Sequence, residues 1–280
     1  MTTATPPSTP PWTPPHGPRP TPTLHTETVG NGPRLVMAHG FTQTGRVWGS
    51  MDGNLAQDHQ VVRVDLPGHG ASAPVAAGLE DGALLLGGVG GRATYLGYSM
   101  GARFCLHLAL ARPHLVSGLV LISGTAGIED QAERRRRRAS DDKLAEELDP
   151  IRTPGPPLAV GAFVRRWLEN PMFAGISESA NGLDERLRNT GPGLASSLRL
   201  AGTGTQQPLW DSIGRLTMPV LIISGELDQK FSALGRRMAE IIGPTASRAV
   251  VPGAGHAPHL QRPDEVARLV RAHEHRGGGS

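Results

Sequence analysis

Six short, continuous apolar runs constrain the fold of this chain more than any other feature of its sequence. Runs of this kind suit strands that are buried on both faces, and such strands form parallel sheets. Segments with helical spacing lie between several of them, so the pattern predicts an α/β fold with a mostly parallel, doubly wound sheet. The predicted strands are 34–38, 61–65, 93–97, 116–123, 220–224 and 248–251, and the predicted helices are 100–112, 231–242 and 263–274. A further helix over 80–92 is expected to be short or irregular, because five glycines fall within it.

A long gap interrupts this alternation between residues 123 and 219, where more than ninety residues contain no convincing strand. A structureless loop of that length is uncommon in a compact domain, so we expect a helical lid inserted between two strands. Helical patterns in the gap occupy 130–148, 160–168 and 183–198. The predicted organisation is a Pro-rich tail at 1–22, a first core part at 23–124, the lid at 125–210, a second core part at 211–275 and a flexible tail at 276–280.

Composition narrows the class of protein. The first 22 residues contain nine prolines, so this segment cannot build a core and is predicted to be extended or disordered. The sequence lacks the long apolar stretch of a signal peptide or of a membrane span. Its single cysteine, Cys105, excludes an intrachain disulfide and fits a reducing compartment. We expect a cytoplasmic protein without a membrane span.

The formal net charge is +3, and its most visible local concentration is the run Arg134–Arg138. Acidic residues flank this run on both sides, so it predicts a solvated helix face rather than a nucleic-acid surface. We therefore expect no nucleic-acid partner. The sequence leaves both a monomer and a homo-oligomer open.

The segment LGYSMGAR contains the pattern G-x-S-x-G, with Ser99 at its centre. It sits between a predicted strand and a predicted helix, which is the context of a nucleophile elbow. In such a turn the flanking glycines avoid side-chain collisions, and the serine hydroxyl is lifted out of the sheet. The following helix points its N-terminus at negative charge that develops nearby. A serine in a tight turn can also be purely structural, but its place here favours catalysis.

A serine hydroxyl needs a base to take its proton, and this architecture supplies the partners in the order Ser, Asp or Glu, His. Asp228 lies just after a predicted strand, and Glu226 is its rival. His256 follows the next strand in a glycine-rich loop before a helix, and His259 is its rival. An isolated Asp or His would carry little weight. Three residues in this order at three strand ends predict a triad of Ser99, Asp228 and His256.

Donors for a developing oxyanion are predicted on two backbone amides. One is the N–H of Met100, which directly follows the serine. The other comes from the loop after the first predicted strand, where the segment HGF supplies the N–H of Phe41. Such a segment alone could be an ordinary turn, but opposite an elbow it is typical of half an oxyanion hole.

The segments HGF, DLPGHGAS, GYSMGAR, GELDQKF and GHAPHLQRPDEV resemble the α/β-hydrolase superfamily over about residues 24–274. Within it, the chain most resembles the menaquinone-pathway family of 2-succinyl-6-hydroxy-2,4-cyclohexadiene-1-carboxylate synthases. The narrower resemblance rests on Arg103 in GYSMGAR, on GELDQKF, and on the lid segments AERRRRRASD, WLENPMF and LRNTGPGLASSLRLAGTGTQQPLW. The chain departs from the family at Ala102, where glycine is common, and in the glycine-rich segment 82–91.

The resemblance implies an α/β-hydrolase fold that catalyses elimination rather than hydrolysis. Ser99, deprotonated with help from His256 and Asp228, would remove a proton from a succinylated cyclohexene substrate. Loss of the enolpyruvyl group as pyruvate would then leave the cyclohexadiene. The amides of Phe41 and Met100 would hold the negative charge on the succinyl carbonyl oxygen. The resemblance implies neither a covalent acyl intermediate nor a metal or organic cofactor.

The resemblance also implies a substrate with three carboxylates, to which arginine makes paired, planar hydrogen bonds. Arg103 lies on the first turn of the helix that follows the elbow. In the lid, Arg137 and Arg188 match the family's anion-binding positions. Arg134 is the alternative within the arginine run, because five successive arginines leave the alignment with the family ambiguous.

Aromatic residues complete the site that the resemblance implies. Tyr98, Trp167 and Phe173 would line the pocket wall, although core packing explains them about equally well. Lys230 matches the family pattern, and its role is open.

Other functions remain open at the level of sequence. A carboxylesterase or a carbon–carbon bond hydrolase would use the same triad with water, and a cofactor-free haloperoxidase-like side reaction would need nothing more. A ligand receptor could share the fold without turnover, because fold does not dictate function. A complete triad with both oxyanion donors argues against the receptor. Several arginines argue against an apolar ester substrate.

Overall fold

The computed structural model describes residues 22–151 and 155–277. The predicted Pro-rich tail lies outside the described residues except for Pro22, and so do residues 278–280 of the predicted C-terminal tail. Seven strands of the described chain form one sheet, and they are β1 (Thr26–Val29), β2 (Arg34–Ala38), β3 (Gln60–Val64), β4 (Ala93–Tyr98), β5 (Val116–Ile122), β6 (Val220–Gly225) and β7 (Ala246–Val251). Their order is β1-β3-β2-β4-β5-β6-β7. β1 runs antiparallel to β3, and all other neighbours are parallel.

Helices cover both faces of this sheet. In chain order they are α1 (Met51–Leu55), α2 (Leu79–Gly90), α3 (Met100–Ala111), α4 (Gln131–Leu148), α5 (Val160–Leu168), α6 (Leu183–Arg186), α7 (Gly191–Ala201), α8 (Gln229–Ile242), α9 (Pro258–Gln261) and α10 (Pro263–Gly277). Apolar side chains of α2, α3 and α8 pack on one face, and those of α1, α9 and α10 pack on the other. Within the described ranges, no helix is long and apolar enough to cross a membrane.

The residues of β2 show why the strands read as continuous apolar runs. Val36 and Ala38 are buried in the cluster beneath α2, α3 and α8, whereas Leu35 and Met37 are buried in the opposite cluster. Successive side chains of a strand point to opposite faces, and here both faces are covered. The prediction of a mostly parallel, doubly wound α/β sheet is confirmed.

The helix expected over 80–92 is present, but the expectation that it is short or irregular is wrong, because α2 is a regular helix of 12 residues. Two of its glycines face neighbours that leave no room for a side chain. A Cβ on Gly82 would lie 2.4 Å from Phe104 Cε1, and one on Gly87 would lie 2.7 Å from Leu108 Cδ1. Close packing of α2 on α3 therefore requires these glycines and offsets their low helix propensity.

Among the short elements absent from the predicted set are β1 and α1. β1 has the sequence TETV, which contains no apolar run, and it is held at the sheet edge by pairing with β3. α1 has five residues, and it is held by packing against α10. Tertiary contacts rather than local sequence pattern fix both elements.

Helices α4 to α7 are inserted between β5 and β6 and share an apolar cluster of their own. The predicted helical stretch 183–198 is two helices, since α6 ends at Arg186 and α7 begins at Gly191. Thr190 separates them as the N-cap of α7, and its hydroxyl accepts a hydrogen bond from the Gly193 N–H at 3.1 Å. The turn between α6 and α7 lies against the loop that follows β2, where Asn189 Nδ2 donates to the Thr42 oxygen at 2.8 Å.

Candidate active site

Ser99 occupies a strained turn between β4 and α3. Its backbone has φ +50° and ψ −103°, in a region that non-glycine residues rarely adopt. A Cβ on Gly97 would lie 2.5 Å from the Ala102 nitrogen, and one on Gly101 would lie 1.9 Å from the Ala38 oxygen. Only glycine fits at both positions, so the G-x-S-x-G pattern reflects the close approach of backbone around the serine.

The structure brings the predicted triad residues into one hydrogen-bonded chain. His256 Nδ1 lies 2.6 Å from Asp228 Oδ2, and His256 Nε2 lies 3.2 Å from Ser99 Oγ. Asp228 is held in turn as the N-cap of α8, where its Oδ1 accepts from the Phe231 N–H at 3.3 Å. With Nδ1 donating to the carboxylate, Nε2 is left to accept the serine proton. This arrangement can generate a basic serine oxygen.

The rival triad candidates lie elsewhere. Glu226 accepts a hydrogen bond from the Gly253 N–H at 2.8 Å, whereas the imidazole of His256 is bonded to Asp228. His259 is fully buried, with its ring 4.2 Å from the Tyr98 ring and 5.2 Å from the Trp48 ring. Burial lowers the pKa of His259 to about 3, so this imidazole is neutral at physiological pH. Geometry therefore favours Asp228 and His256.

The two residues predicted to supply oxyanion donors line the same cavity as Ser99. Met100 is the first residue of α3, where the amide has no intrahelical acceptor, and Phe41 lies in the loop after β2. Neither amide donates to another residue of the described chain. The Phe41 loop is braced internally, since the Gly40 N–H donates to Gln43 Oε1 at 2.7 Å. Two amide donors beside an activated serine form a site that can stabilise an oxyanion.

Ser99, His256, Phe41 and Met100 open into a cavity of about 660 Å³. Residues of α4, α5, α7 and α8 and of the loops beside them form much of the remaining wall, so the inserted helices border the cavity that Ser99 lines. Trp167 lines the wall as predicted, in edge contact with the Phe41 ring at 5.1 Å between ring centroids. The volume suits a small organic ligand.

Arg103 and Arg137 place two cations on the cavity wall. Arg103 Nη1 donates to the Ala201 oxygen at 2.8 Å, and the rest of its guanidinium has no hydrogen-bond partner in the described chain. Burial, followed by repulsion from Arg137, lowers the pKa of Arg103 to about 10, so it stays charged at neutral pH. Arg137 Nε donates to Asp141 Oδ1 at 2.8 Å. Arg134 instead donates to the Ile128 oxygen and does not line the cavity.

The structure corrects three expectations about substrate contacts. Arg188 has a largely exposed side chain that pairs with Glu185 at 3.5 Å and lines a separate surface cleft of about 50 Å³. Tyr98 is buried behind the triad against the His256 and His259 rings rather than in the cavity wall. Phe173 likewise packs behind the wall, against the Trp167 ring. The turn after α6 and the packing of the core set these positions. A sequence motif carries no information about either.

Two further cations on the cavity wall had no role assigned from the sequence. Lys230 lines the cavity at the start of α8, and its ammonium lies 5.9 Å from the centroid of the Phe231 ring. Arg237 lines it further along α8, where it pairs with Glu129 and lies 4.0 Å over the Trp210 ring. No group of three or more His, Cys, Asp or Glu in residues 22–151 and 155–277 is arranged to hold a metal ion.

Residues 35–269 match the model of the alpha/beta hydrolase family. The chain belongs to the alpha/beta hydrolase family. Two relatives and one solved structure narrow the comparison.

A Bacillus subtilis (strain 168) protein, provisionally named 2-succinyl-6-hydroxy-2,4-cyclohexadiene-1-carboxylate synthase, is 33% identical over 250 residues, covering 84% of this chain and 88% of that protein. The synthase of the same name from Enterobacter sp. (strain 638) is 31% identical over 250 residues, covering 85% of this chain and 90% of its own. MenH from S. aureus matches the structure with a TM-score of 0.81 at 26% identity, covering 92% of this chain and 99% of that chain. The resemblance to this branch of the hydrolase family is confirmed.

Proposed function

We propose that this alpha/beta hydrolase family member is a lyase of menaquinone biosynthesis. It eliminates pyruvate from 2-succinyl-5-enolpyruvyl-6-hydroxy-3-cyclohexene-1-carboxylate and yields 2-succinyl-6-hydroxy-2,4-cyclohexadiene-1-carboxylate. The observation that carries the proposal is the pairing of the Ser99–His256–Asp228 chain with the cations Arg103 and Arg137 in one cavity. The names of relatives that are 30% or more identical over most of the chain support it.

The serine oxygen acts as the general base in this proposal. Asp228 orients the imidazole, His256 Nε2 takes the proton of Ser99, and the serine oxygen removes the proton at C2 of the ring. That proton is acidic because C2 lies next to the succinyl carbonyl. The electron pair enters the carbonyl as an enolate, whose oxygen the Phe41 and Met100 amides stabilise.

Elimination then completes the reaction. The enolate re-forms its carbonyl and its electron pair makes the C2–C3 double bond, while the electron pair of the C3–C4 double bond moves to C4–C5. The C5–O bond breaks, and enolpyruvate leaves with its electron pair. A proton from the imidazolium of His256 converts it to pyruvate and restores the neutral base. The step needs neither water nor a covalent serine intermediate.

Cations of the cavity bind the three carboxylates of the substrate in this account. Arg103 has free donors next to Ser99, and Arg137 adds a second guanidinium from α4. Lys230 faces the same cavity, so it is the candidate for the third carboxylate in the place expected for Arg188. A neutral ester would leave the free donors of the Arg103 guanidinium without partners, which favours the lyase over a carboxylesterase.

We also propose that residues 125–210 work as a lid over this cavity and that the reaction takes place in the cytoplasm. The supporting observations are the insertion of α4 to α7 between β5 and β6 and the one cysteine, Cys105, which is buried as a free thiol. In this proposal the arginine run serves the substrate rather than nucleic acid, because Arg137 is drawn into the cavity by Asp141.

Pyruvate release tests the proposed function. Freshly generated substrate is mixed with enzyme, and pyruvate is followed by a coupled lactate dehydrogenase assay against an enzyme-free control, since the substrate also decays unaided. We expect fast release with the wild type, a rate near the control with Ser99→Ala, and weakened release with Arg103→Ala. Arg112→Ala, at the exposed far end of α3, is the matched control and should release pyruvate at the wild-type rate. Wild-type release at the spontaneous rate, together with serine-dependent cleavage of esters or ring-fission products, would make the protein a hydrolase instead.

A further inference from the structure

Arg186 is a buried cation in the lid that the proposed reaction does not use. Its side chain is 1% exposed, and both of its hydrogen-bond acceptors in the described chain are neutral. Its Nε donates to the Asn181 oxygen at 2.7 Å, and its Nη1 donates to the Thr42 hydroxyl. Burial lowers the pKa of Arg186 to about 10, so it remains a cation at neutral pH. Burying a guanidinium without a carboxylate partner costs free energy of folding. A role for the contacts that Arg186 makes would explain why the protein keeps it.

Asn189 also binds Thr42, at its backbone carbonyl. Its Nδ2 donates to the Thr42 oxygen at 2.8 Å and to the Arg186 oxygen at 2.9 Å, while its Oδ1 accepts from the Gly70 N–H at 2.9 Å. Asn189 is buried as well. Arg186 at the end of α6 therefore engages the hydroxyl of Thr42, and Asn189 in the turn before α7 engages its carbonyl.

Thr42 needs such support because its backbone is strained. Its φ is +66°, and a β-branched residue in this left-handed region is rare and unfavourable. Strain of this kind persists only where surrounding contacts over-determine the conformation. Thr42 directly follows Phe41, so any relaxation of the threonine rotates the peptide beside the proposed oxyanion donor. Gly40, on the other side of Phe41, already lies against the Tyr98 ring.

We propose that Arg186 and Asn189 are positioning residues, which hold Thr42 in its left-handed conformation and thereby aim the Phe41 N–H at the oxyanion. The inference rests on the proposed role of the Phe41 amide. It makes the lid a structural part of the oxyanion hole, because both residues belong to the lid and Phe41 belongs to the core. The contacts to substrate made by Arg103 and Arg137 are separate from this function.

Steady-state pyruvate release by four variants tests the proposal. Arg186→Gln and Asn189→Asp should lower kcat by about 10- to 100-fold, the range expected when an oxyanion donor is misplaced, with KM changed by less than about threefold. Arg186→Lys keeps the charge and one donor, so it should recover part of the loss. Arg165→Gln removes an exposed arginine of α5 and is the matched control, with no change in kcat.

A double-mutant cycle identifies Thr42 as the point of action. Thr42→Val removes the hydroxyl that accepts from Arg186 and keeps the β-branched shape. If Arg186 acts through that hydroxyl, the double variant Thr42→Val with Arg186→Gln loses no more kcat than Arg186→Gln alone. Losses that multiply would show that the arginine acts by another path and would overturn the proposal.

Hydrogen exchange separates this inference from the proposed function. In Arg186→Gln, the peptide spanning 40–45 should exchange faster than in the wild type, with exchange unchanged in α10. A lowered melting temperature combined with wild-type kcat and wild-type exchange at 40–45 would mean that Arg186 only stabilises the fold, and the proposal would be wrong. If the wild type releases no pyruvate above background, the proposed function fails. The exchange of 40–45 and the kcat of serine-dependent ester cleavage then decide whether Arg186 positions the Phe41 amide.

Discussion

Two regions of the molecule differ in what fixes their side chains: the carboxyl ends of the strands, which carry Ser99, Asp228 and His256, and the lid. Ser99 is set by a backbone turn that two glycines permit, and Asp228 is set as the cap of α8. His256 follows from its hydrogen bond to that cap. Each position depends on the end of a strand and on the turn just after it, so local sequence pattern and sheet topology are enough to place it.

Lid side chains depend instead on how helices rotate and pack. Arg137 faces the cavity because Asp141, one turn later on α4, is buried and draws its guanidinium inward. Arg188 lies in the turn after α6 and ends in a surface cleft. At strand ends, residue type and motif register are therefore enough to predict where a side chain lies. In the lid they predict only the segment that contains it.

Replacing Asp228 by Asn is the strongest test of the triad placed at the strand ends. The amide oxygen keeps the hydrogen bond from the Phe231 N–H, so the NH2 group takes the place of Oδ2 and donates to His256 Nδ1. The imidazole then adopts the wrong tautomer, and we expect kcat to fall by about 10³- to 10⁴-fold. Glu226→Gln, two residues earlier and outside the hydrogen-bonded chain, is the control and should stay close to the wild type. Equal losses in both variants would contradict the assignment of Asp228.

The glycines of α2 test whether close packing also governs a region that sequence pattern misjudged. Gly82→Ala forces a methyl against the Phe104 ring, so we expect a loss of about 1–3 kcal/mol in the free energy of unfolding. Gly88→Ala meets open space on the same helix and should stabilise by about 0.5–1 kcal/mol. Urea unfolding of both variants gives the comparison. Stabilisation by both would show that α2 moves away from α3 at no cost.

Two arginine substitutions compare a cavity-lining position of the lid with an exposed one. Arg137→Gln removes a cation from the cavity wall, and we expect KM to rise about 10-fold, as for one charge-assisted hydrogen bond. Arg188→Gln lies outside the cavity and should change KM by less than about twofold. Initial rates of pyruvate release at varied substrate concentration measure both. A rise in the second variant as large as in the first would place Arg188 at the substrate and make the correction wrong.

The pH dependence of stability reports on the buried ring behind the triad. Burial, with the charge of Arg186 as a second cause, lowers the pKa of His259 to about 3, below its ordinary value of 6.5. The unfolded chain therefore binds a proton that the folded protein does not, and the stability present above pH 6.5 is lost as pH falls toward 3. One such group contributes a slope of up to about 1.4 kcal/mol per pH unit.

His259→Phe should remove that contribution, because phenylalanine keeps the ring contacts and cannot bind a proton. We expect a shallower fall in the free energy of unfolding between pH 6.5 and 4.5 than in the wild type. His114→Phe, at an exposed position, is the control. Parallel curves for the wild type and His259→Phe would mean that the ring titrates normally in the folded protein.

Much of the fold was predictable because strands buried on both faces carry a continuous apolar signature. The inserted helices between β5 and β6 were predictable too, since a gap of that length without a strand requires other structure. The edge strand β1 was not predictable, because three of its four residues are polar and its place depends on pairing with β3. The regularity of α2 was hidden by glycines whose purpose is visible only in the contact with α3.

The candidate site divides in the same way. The order of Ser99, Asp228 and His256 and the position of Phe41 followed from strand-end motifs, and the structure brings these residues together around one cavity. Arg186 could not be found from the sequence. It lies two residues before Arg188, and two residues along a helical turn are enough to exchange a buried side for an exposed one.

Single-turnover pyruvate release from substrate carrying deuterium at C2, with the enzyme's intact mass recorded in the same reaction, tests the central claim that Ser99 is a base. The account predicts that deuterium slows release by the wild type and that no covalent adduct forms on Ser99. Release at an unchanged rate, accompanied by an adduct on Ser99, would show nucleophilic catalysis and would contradict the account.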